Sequence, residues 1–232
     1  MQPADQLREI ARRRLYPSLT DPNYLVLRAR RLIFTQWIAR LSRAKLRVLD
    51  VGGRYQPYRS LLEGRVEQYF SVDVLRTELV DVMASGEALP FEAETFDLAI
   101  ATQVFDCFRD PCRAALEIHR VLNSGGALLM SVPAMAPRFA DEEYRRFLPA
   151  GIRQLLAPFA QVDIVPEVDS LGGVCRTLNV ALNAFANFGV SRRMFSVTIS
   201  PALNLLGLGL ERLKLTENDQ FTPNYSVFAR KG

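Results

Sequence analysis

The sequence predicts a doubly wound α/β fold on a seven-stranded, mostly parallel sheet, and three observations carry that expectation. Leu89–Pro133 (LPFEAETFDLAIATQVFDCFRDPCRAALEIHRVLNSGGALLMSVP) reads as a buried strand, an amphipathic helix, a Gly-Gly stop and a second buried strand. Upstream, Val48–Gly53 (VLDVGG) and Tyr69–Val74 (YFSVDV) supply two strands, each running into an aspartate. From Leu46 onward, Val/Ile/Leu-rich runs alternate with short helical segments, which implies parallel strands covered on both faces.

The expected strands are Arg47–Val51, Gln68–Val72, Leu79–Met83, Phe96–Thr102, Ala127–Val132, Gln161–Pro166 and Ser226–Arg230. Helices are expected at Tyr58–Glu63, Pro111–Leu122 and Ala150–Leu156 between them. Gly125-Gly126 reads as the stop of the second of these, and His119 as a locally packed residue on it, with Leu116, Val121 and Leu122 marking the packing side. Two further helices, Gln6–Arg14 and Tyr24–Arg43, precede the sheet. Leu25, Leu32, Ile33, Trp37 and Leu41 share one face of the second, with Arg28, Arg31 and Arg40 directed elsewhere. Asp21-Pro22 stands where an N-cap and a first-turn proline belong.

About fifty residues separate the last two expected strands, far more than a usual connection. Within them Thr177–Val190 and Pro201–Leu215 read as apolar helices, the first carrying Leu178, Val180, Leu182, Phe185 and Phe188 and the second Leu203, Leu205, Leu206, Leu208 and Leu210. The division expected is an N-terminal helical lobe over 1–45 and one α/β body over 46–232, with a helical insertion at about 176–220. The insertion suits a cap over a hydrophobic or lipid-linked substrate, a dimer interface, or a membrane contact with Arg192, Arg193, Arg212 and Lys214 at the headgroups.

Bulk properties bound the function. The 232 residues are 49% hydrophobic and 23% charged, ordinary for one large globular domain. Net charge is +4, unevenly spread: residues 1–47 hold eleven Lys/Arg against three Asp/Glu. Such a segment attracts phosphate, anionic lipid or nucleic acid, or forms the solvated face of covering helices. Three cysteines and one histidine supply no zinc ligand set, and Cys107 and Cys112 read as buried or half-buried thiols. The sparse cysteines, the charged N-terminus and the lack of an 18-residue apolar run suit a cytoplasmic protein with, at most, peripheral membrane association.

Asp50 precedes Gly52-Gly53, where the backbone can approach a ligand and a following helix would offer free N–H donors. Asp73 ends the second strand 23 residues later, placed to accept from both hydroxyls of a ribose. Arg54 and Gln56 stand where a full glycine motif has further glycines.

The order VLDVGG, YFSVDV, GEALPF, FDLAIATQVF, EIHRVLNSGGALLMSVP resembles the class I S-adenosylmethionine-dependent methyltransferases, specifically the type 11 group. DEEYRRFLPAGIRQLLAPF and Pro57-Tyr58-Arg59 are similar to segments of a bacterial subgroup associated with cell-surface polysaccharides. The resemblance implies S-adenosyl-L-methionine as cofactor. Asp50 and the Gly52 and Gly53 backbone would face its methionine part, and Asp73 its ribose. The turn of Ser85, Glu87 and Ala88 would edge the adenine, Val74 or Leu89 would pack on it, and Gln103 would lie near the methyl donor. Ser85 replaces the acid usual at the adenine edge, and Asp106-Cys107 replaces the usual Glu-His.

Asp106 follows the fourth strand and is the candidate base for a hydroxyl acceptor, or else a helix cap. Tyr144 and Arg145 are candidate substrate contacts, or surface residues of a short helix. The expected activity is methyl transfer to an oxygen on a small molecule, glycan or lipid-linked substrate. The rival readings are a catalytically silent binding protein, an RNA methyltransferase using the basic lobe, and a nicotinamide-dependent oxidoreductase. No base-methylating Asn-Pro-Pro-Tyr follows the fourth strand, which disfavours nucleic acid as a partner, and no tight Gly-x-Gly-x-x-Gly is present, which disfavours the oxidoreductase.

Overall fold

The computed structural model describes residues 4–138, 141–185, 190–213 and 218–232. Its centre is a seven-stranded sheet: β1 (Leu46–Val51), β2 (Val66–Asp73), β3 (Val82–Met83), β4 (Phe96–Thr102), β5 (Leu122–Pro133), β6 (Gln161–Pro166) and β7 (Asn224–Arg230). The spatial order is β3-β2-β1-β4-β5-β7-β6. The first five strands pair in parallel, and β7 runs antiparallel between β5 and β6. The chain order reverses between β1 and β4, so the crevice beyond their carboxyl ends is where such sheets hold ligands.

Alternation along the strands builds two cores. Leu49, Val51, Ala99 and Ala101 face α3 (Pro111–Val121) and α4 (Pro149–Leu155), meeting Ile118 and Ile152. Val48, Leu98 and Ile100 point the other way, onto Phe34, Trp37 and Ile38 of α2 (Tyr24–Ala39) and Leu15 of α1 (Ala4–Leu15). The N-terminal helices thus cover this face of the sheet over β1, β4, β5 and β7. The segment before β7 folds as α5 (Ser170–Phe185), α6 (Val190–Val197) and α7 (Ile199–Leu213). Phe188 and Lys214, and the side chains of Arg192 and Arg193, lie outside the described residues.

Several local expectations are corrected. The glycine pair does not stop α3, because β5 begins directly at Leu122. Phe96 pairs with Leu122 and Leu98 with Ala127, so Gly125 (φ 73°) and Gly126 lie in a bulge where the register shifts. On α3 the buried face is Ala114, Ala115, Ile118 and Val121, while Leu116 is exposed. His119 meets the Phe159 ring edge-on at 5.1 Å, and burial lowers its proton affinity. Helix α2 ends at Ala39 rather than Arg43, since Arg65 donates to the carbonyls of Ile38, Leu41 and Arg43. Its N-cap position is Asn23, and Asp21 Oδ1 instead accepts from the Asn23 amide at 2.8 Å. Leu32 is exposed on that helix, whereas Arg30 is buried. Cys107 and Cys112 are exposed; Cys175 is the buried thiol. The turn after the glycine loop is a short 3-10 helix, Arg59–Leu62, and not a full helix.

Candidate functional site

A pocket of about 410 Å³ opens at the carboxyl ends of β1, β2, β3 and β4. The residue just past each strand lines it: Gly52, Val74, Ala84 and Gln103. Asp73, Ser85, Gly86 and Val104 complete the wall nearest the sheet, and Leu75, Cys107 and Phe108 the apolar side. Arg54 and Glu142 bring charge to it. A wider depression of about 670 Å³ between α1 and residues 55–66 contains none of the sequence-predicted site residues.

Gly52 has φ 76°, and a Cβ there would lie 2.9 Å from the Val104 side chain, so only glycine keeps this wall open. Both glycine amides are already used: Gly52 N and Gly53 N donate to the Val72 carbonyl at 2.8 and 3.2 Å. The free N–H donors are expected of a helix after the glycines, but the element there is the 3-10 turn Arg59–Leu62, none of whose residues lines this pocket. Gly53 packs on Asp50 behind the pocket, where a Cβ would meet the Asp50 carbonyl at 2.7 Å.

Asp73 is buried at the end of β2, with Oδ1 accepting from the Leu75 amide at 2.8 Å and Oδ2 3.8 Å from Arg54 Nε. Asp50 lies one layer deeper and does not line the pocket. Burial raises its pKa to about 7; the Tyr69 hydroxyl, donating to Oδ2 at 2.6 Å, works against this, and the charge of Asp73 adds to it.

Gln103, at a positive φ of 52°, is held by Ser131: its amide donates to the Ser131 carbonyl and its Nε2 to Ser131 Oγ at 3.0 Å. Ser131 Oγ in turn donates to Glu167 Oε1 at 2.7 Å. Glu167 also accepts from Arg30, Asn224 and Ser226, all buried. A polar chain thus runs from the pocket wall to α2, and neither Glu167 nor Arg30 carries a local sequence signal for it.

The remaining sequence-predicted residues stand off the pocket. Glu87 accepts from the Asp110 amide at 2.6 Å and from Ser85 Oγ at 3.1 Å, holding the turn to the start of α3. Ala88 N donates to the Ser85 carbonyl, and Leu89 is buried. Asp106 is buried behind Cys107, with Oδ1 lacking a hydrogen-bond partner among the described residues. Burial, and then Glu143, push its pKa up. It is not the cap of α3; Asp110 is, accepting from the Arg113 amide at 3.0 Å. Tyr144 is exposed, and Arg145 Nη1 is spent on the carbonyls of Phe108 and Arg109. Cys107 lines the pocket with its thiol pushed up to about 11 by burial and the neighbouring Asp106, which makes it a poor nucleophile. No group of metal-ligating residues occurs among the described residues. Arg54, Leu75, Phe108 and Glu142 are among the lining residues that the sequence pattern did not assign.

Residues 49–130, from β1 into β5, match the family model described as a methyltransferase domain. Over this segment the chain is similar to the class I S-adenosylmethionine-dependent methyltransferases, the family that its motif order resembles. S-adenosyl-L-methionine is its cofactor, and methyl transfer is the activity the family carries.

The methyltransferase fold is shared with solved structures of low sequence identity. A candidate sarcosine dimethylglycine methyltransferase from Galdieria sulphuraria aligns at TM-score 0.56 and 15% identity, covering 89% of this chain and 88% of that one. An S-adenosylmethionine-dependent methyltransferase from Mesorhizobium loti aligns at 0.53 and 15%, covering 89% and 100%. The [4+2]-cyclase SpnF aligns at 0.54 and 20%, covering 86% and 80%. These likenesses speak to fold only. No curated protein sequence matches this chain.

The pocket fits the cofactor in its own chemistry. A buried carboxylate, Asp73, faces it beside apolar Val74, Leu75 and Phe108, as a sugar joined to a flat ring requires.

Proposed function

We propose that this methyltransferase transfers the methyl group to a hydroxyl oxygen on a small molecule, glycan or lipid-linked acceptor. The observation that carries the reading is the pocket at the β1–β2–β4 ends, with Asp73 in its wall and two carboxyl residues, Glu142 and Asp106, on the side of Cys107.

The bound cofactor supplies a methyl group already activated on a sulfonium. The protein's share is then orientation, exclusion of water and modest help with one proton. Asp73 would accept from the ribose hydroxyls, in place of its 3.8 Å contact with Arg54. Val74 and Phe108 would flank the adenine, and Ser85 would stand at its edge through the turn that Glu87 and Ala88 fix. The Gly52 backbone and Gln103 border the methionine part, with Asp50 and Gly53 as the supporting layer. Glu142 at the wall, or Asp106 behind it, takes the acceptor's proton. Tyr144 is placed near that rim by its amide, which donates to the Asp106 carbonyl at 2.8 Å. Arg145 braces the same loop and does not contact substrate.

Titration calorimetry with S-adenosylhomocysteine, followed by radiolabelled methyl transfer to hydroxyl-bearing glycan and lipid-linked acceptors, tests this reading. Saturable binding with alkali-stable label on oxygen is expected. Labelling of RNA alone would replace the acceptor assignment, and absence of cofactor binding would return the chain to a silent binding role.

A further inference from the structure

Helices α5 and α7 are in part built inside out, although Val180 is buried and Leu208 and Leu210 pack inward beside Leu25. In water, a surface helix hides its leucines and exposes its asparagines. Here Asn179, Ser200 and Asn204 are fully buried between the helices. Asn179 Nδ2 donates to the Ser200 carbonyl and to Asn204 Oδ1, both at 3.3 Å, and Asn183 Nδ2 donates to Ser200 Oγ at 3.0 Å. Gly207 lets Leu25 of α2 approach so closely that a Cβ would lie 2.6 Å from Leu25 Cδ1. Meanwhile Leu178 and Phe185 on α5, Val197 on α6, and Leu205, Leu206 and Leu213 on α7 are exposed, Phe185 to 83%. Small and polar residues at helix contacts with leucine outward is the arrangement of helices whose surroundings are hydrocarbon.

Charge distinguishes the occupant. Positions 170–213 contain four arginines against one glutamate, Arg176 being buried and Arg212 exposed. Helix α2, on which α5 and α7 pack, adds Arg28, Arg30 and Arg31 with no Asp or Glu, Arg30 being paired with Glu167. A two-fold pairing of this face with a second copy would bring like charges together. An anionic lipid surface is complementary to it.

Residues Met194–Leu213 are long and apolar enough to cross a bilayer, with mean hydropathy 1.2 and 17% buried. The expectation of no such stretch is corrected to that extent. The stretch is broken by a turn at Thr198, however, and its inner side is tied to the body. Asn204 Nδ2 donates to the carbonyls of Leu19 and Asp21 at 2.8 and 2.9 Å. A helix held in this way lies on a membrane and does not span it.

We infer that the outer face of α5–α7 seats this protein on an anionic lipid bilayer, with α7 lying in the interfacial plane. The inference stands apart from the choice of methyl acceptor. It is tested by flotation of the full chain with phosphatidylcholine vesicles with and without phosphatidylglycerol. Binding to the anionic vesicles is expected, weakened by salt. The Leu205→Ser/Leu206→Ser variant should bind more than about tenfold more weakly, the least that burying one leucine contributes. Its S-adenosylhomocysteine affinity should be unchanged, which shows that it folds. If it does not fold, Leu206→Trp gives a second reading, because Trp37 is the chain's single tryptophan and is buried. Its emission should shift to the blue on anionic vesicles. An unshifted spectrum, no vesicle binding, or a vesicle-indifferent dimer that the serine variant dissociates would overturn the inference.

Discussion

Arg30 and Glu167, 137 positions apart, form a buried bidentate ion pair: Nε to Oε1 at 2.6 Å and Nη2 to Oε2 at 2.9 Å. The pair joins α2 to the segment after β6, and through Ser131 it reaches Gln103 at the pocket. Burial alone would lower the proton affinity of Arg30, but Glu167 outweighs it and holds the guanidinium charged. Arg30→Met leaves a buried carboxylate without its counter-charge, which costs about 3–5 kcal/mol. At about 2–4 °C per kcal/mol for a chain of this size, the melting temperature should fall by roughly 6–20 °C. A drop under 2 °C would mean that the other donors to Glu167 suffice.

Asp73→Ala should weaken S-adenosylhomocysteine binding by about tenfold or more, because hydrogen bonds to a charged acceptor contribute about 1.5–3 kcal/mol. Calorimetry reads this directly. Unchanged affinity would remove Asp73 as the ribose acceptor.

Arg54 competes with the ligand for Asp73 across 3.8 Å. Arg54→Ala should therefore tighten the binding of adenosine, which has no carboxylate to engage the arginine, by up to about fivefold, the range of a solvent-screened ion pair. Weaker adenosine binding would show that Arg54 contacts the nucleoside itself.

Glu142 and Asp106 compete as the proton acceptor. The Asp106 carboxyl is raised by burial, so as the working base it should give a turnover that climbs with pH through a range above that of an ordinary aspartate. Asp106→Asn should then lower kcat about 10²–10⁴-fold and remove that limb, with cofactor affinity unaltered. If Glu142→Gln does so instead, the pocket-lining carboxylate holds the role.

Asp50 predicts a pH dependence of stability. Its pKa stands near 7 in the fold against an ordinary value of 3.8, so the folded state binds the extra proton between those limits. Stability from this group is greatest at the acid end and is lost as pH rises toward 7, at about 1.4 kcal/mol per unit. Asp50→Asn should flatten the decline in melting temperature from pH 5 to pH 8 relative to the parent, and Tyr69→Phe should steepen it. A parallel shift with no change of slope would place the titration elsewhere, Glu211 being also raised to about 7 by burial and the nearby Asp169.

Most of the sheet was legible because parallel strands buried on both faces must be continuous apolar runs, and Phe96–Thr102 and Gln161–Pro166 coincide with their expected limits. The misreadings have identifiable causes. Gly125-Gly126 resembles a helix stop, and only the pairing of Leu122 with Phe96 shows it to be a bulge. Helix α5 starts at Ser170 and not Thr177, and its Gly173 is where the helix closely approaches the Phe221 carbonyl.

The sequence by itself determined the α/β class, the strand succession and the placing of Asp73 and Gln103 at strand ends, since these follow from local periodicity and residue type. Tertiary structure alone decided which of the charged residues would be buried together, as with Arg30 and Glu167. It alone turned Asn179 and Asn204 inward and Leu178, Leu205 and Leu206 outward. Local pattern sets which residues prefer water. Which face receives water, protein or another medium depends on what packs there, and that is fixed by contacts between segments far apart in the chain.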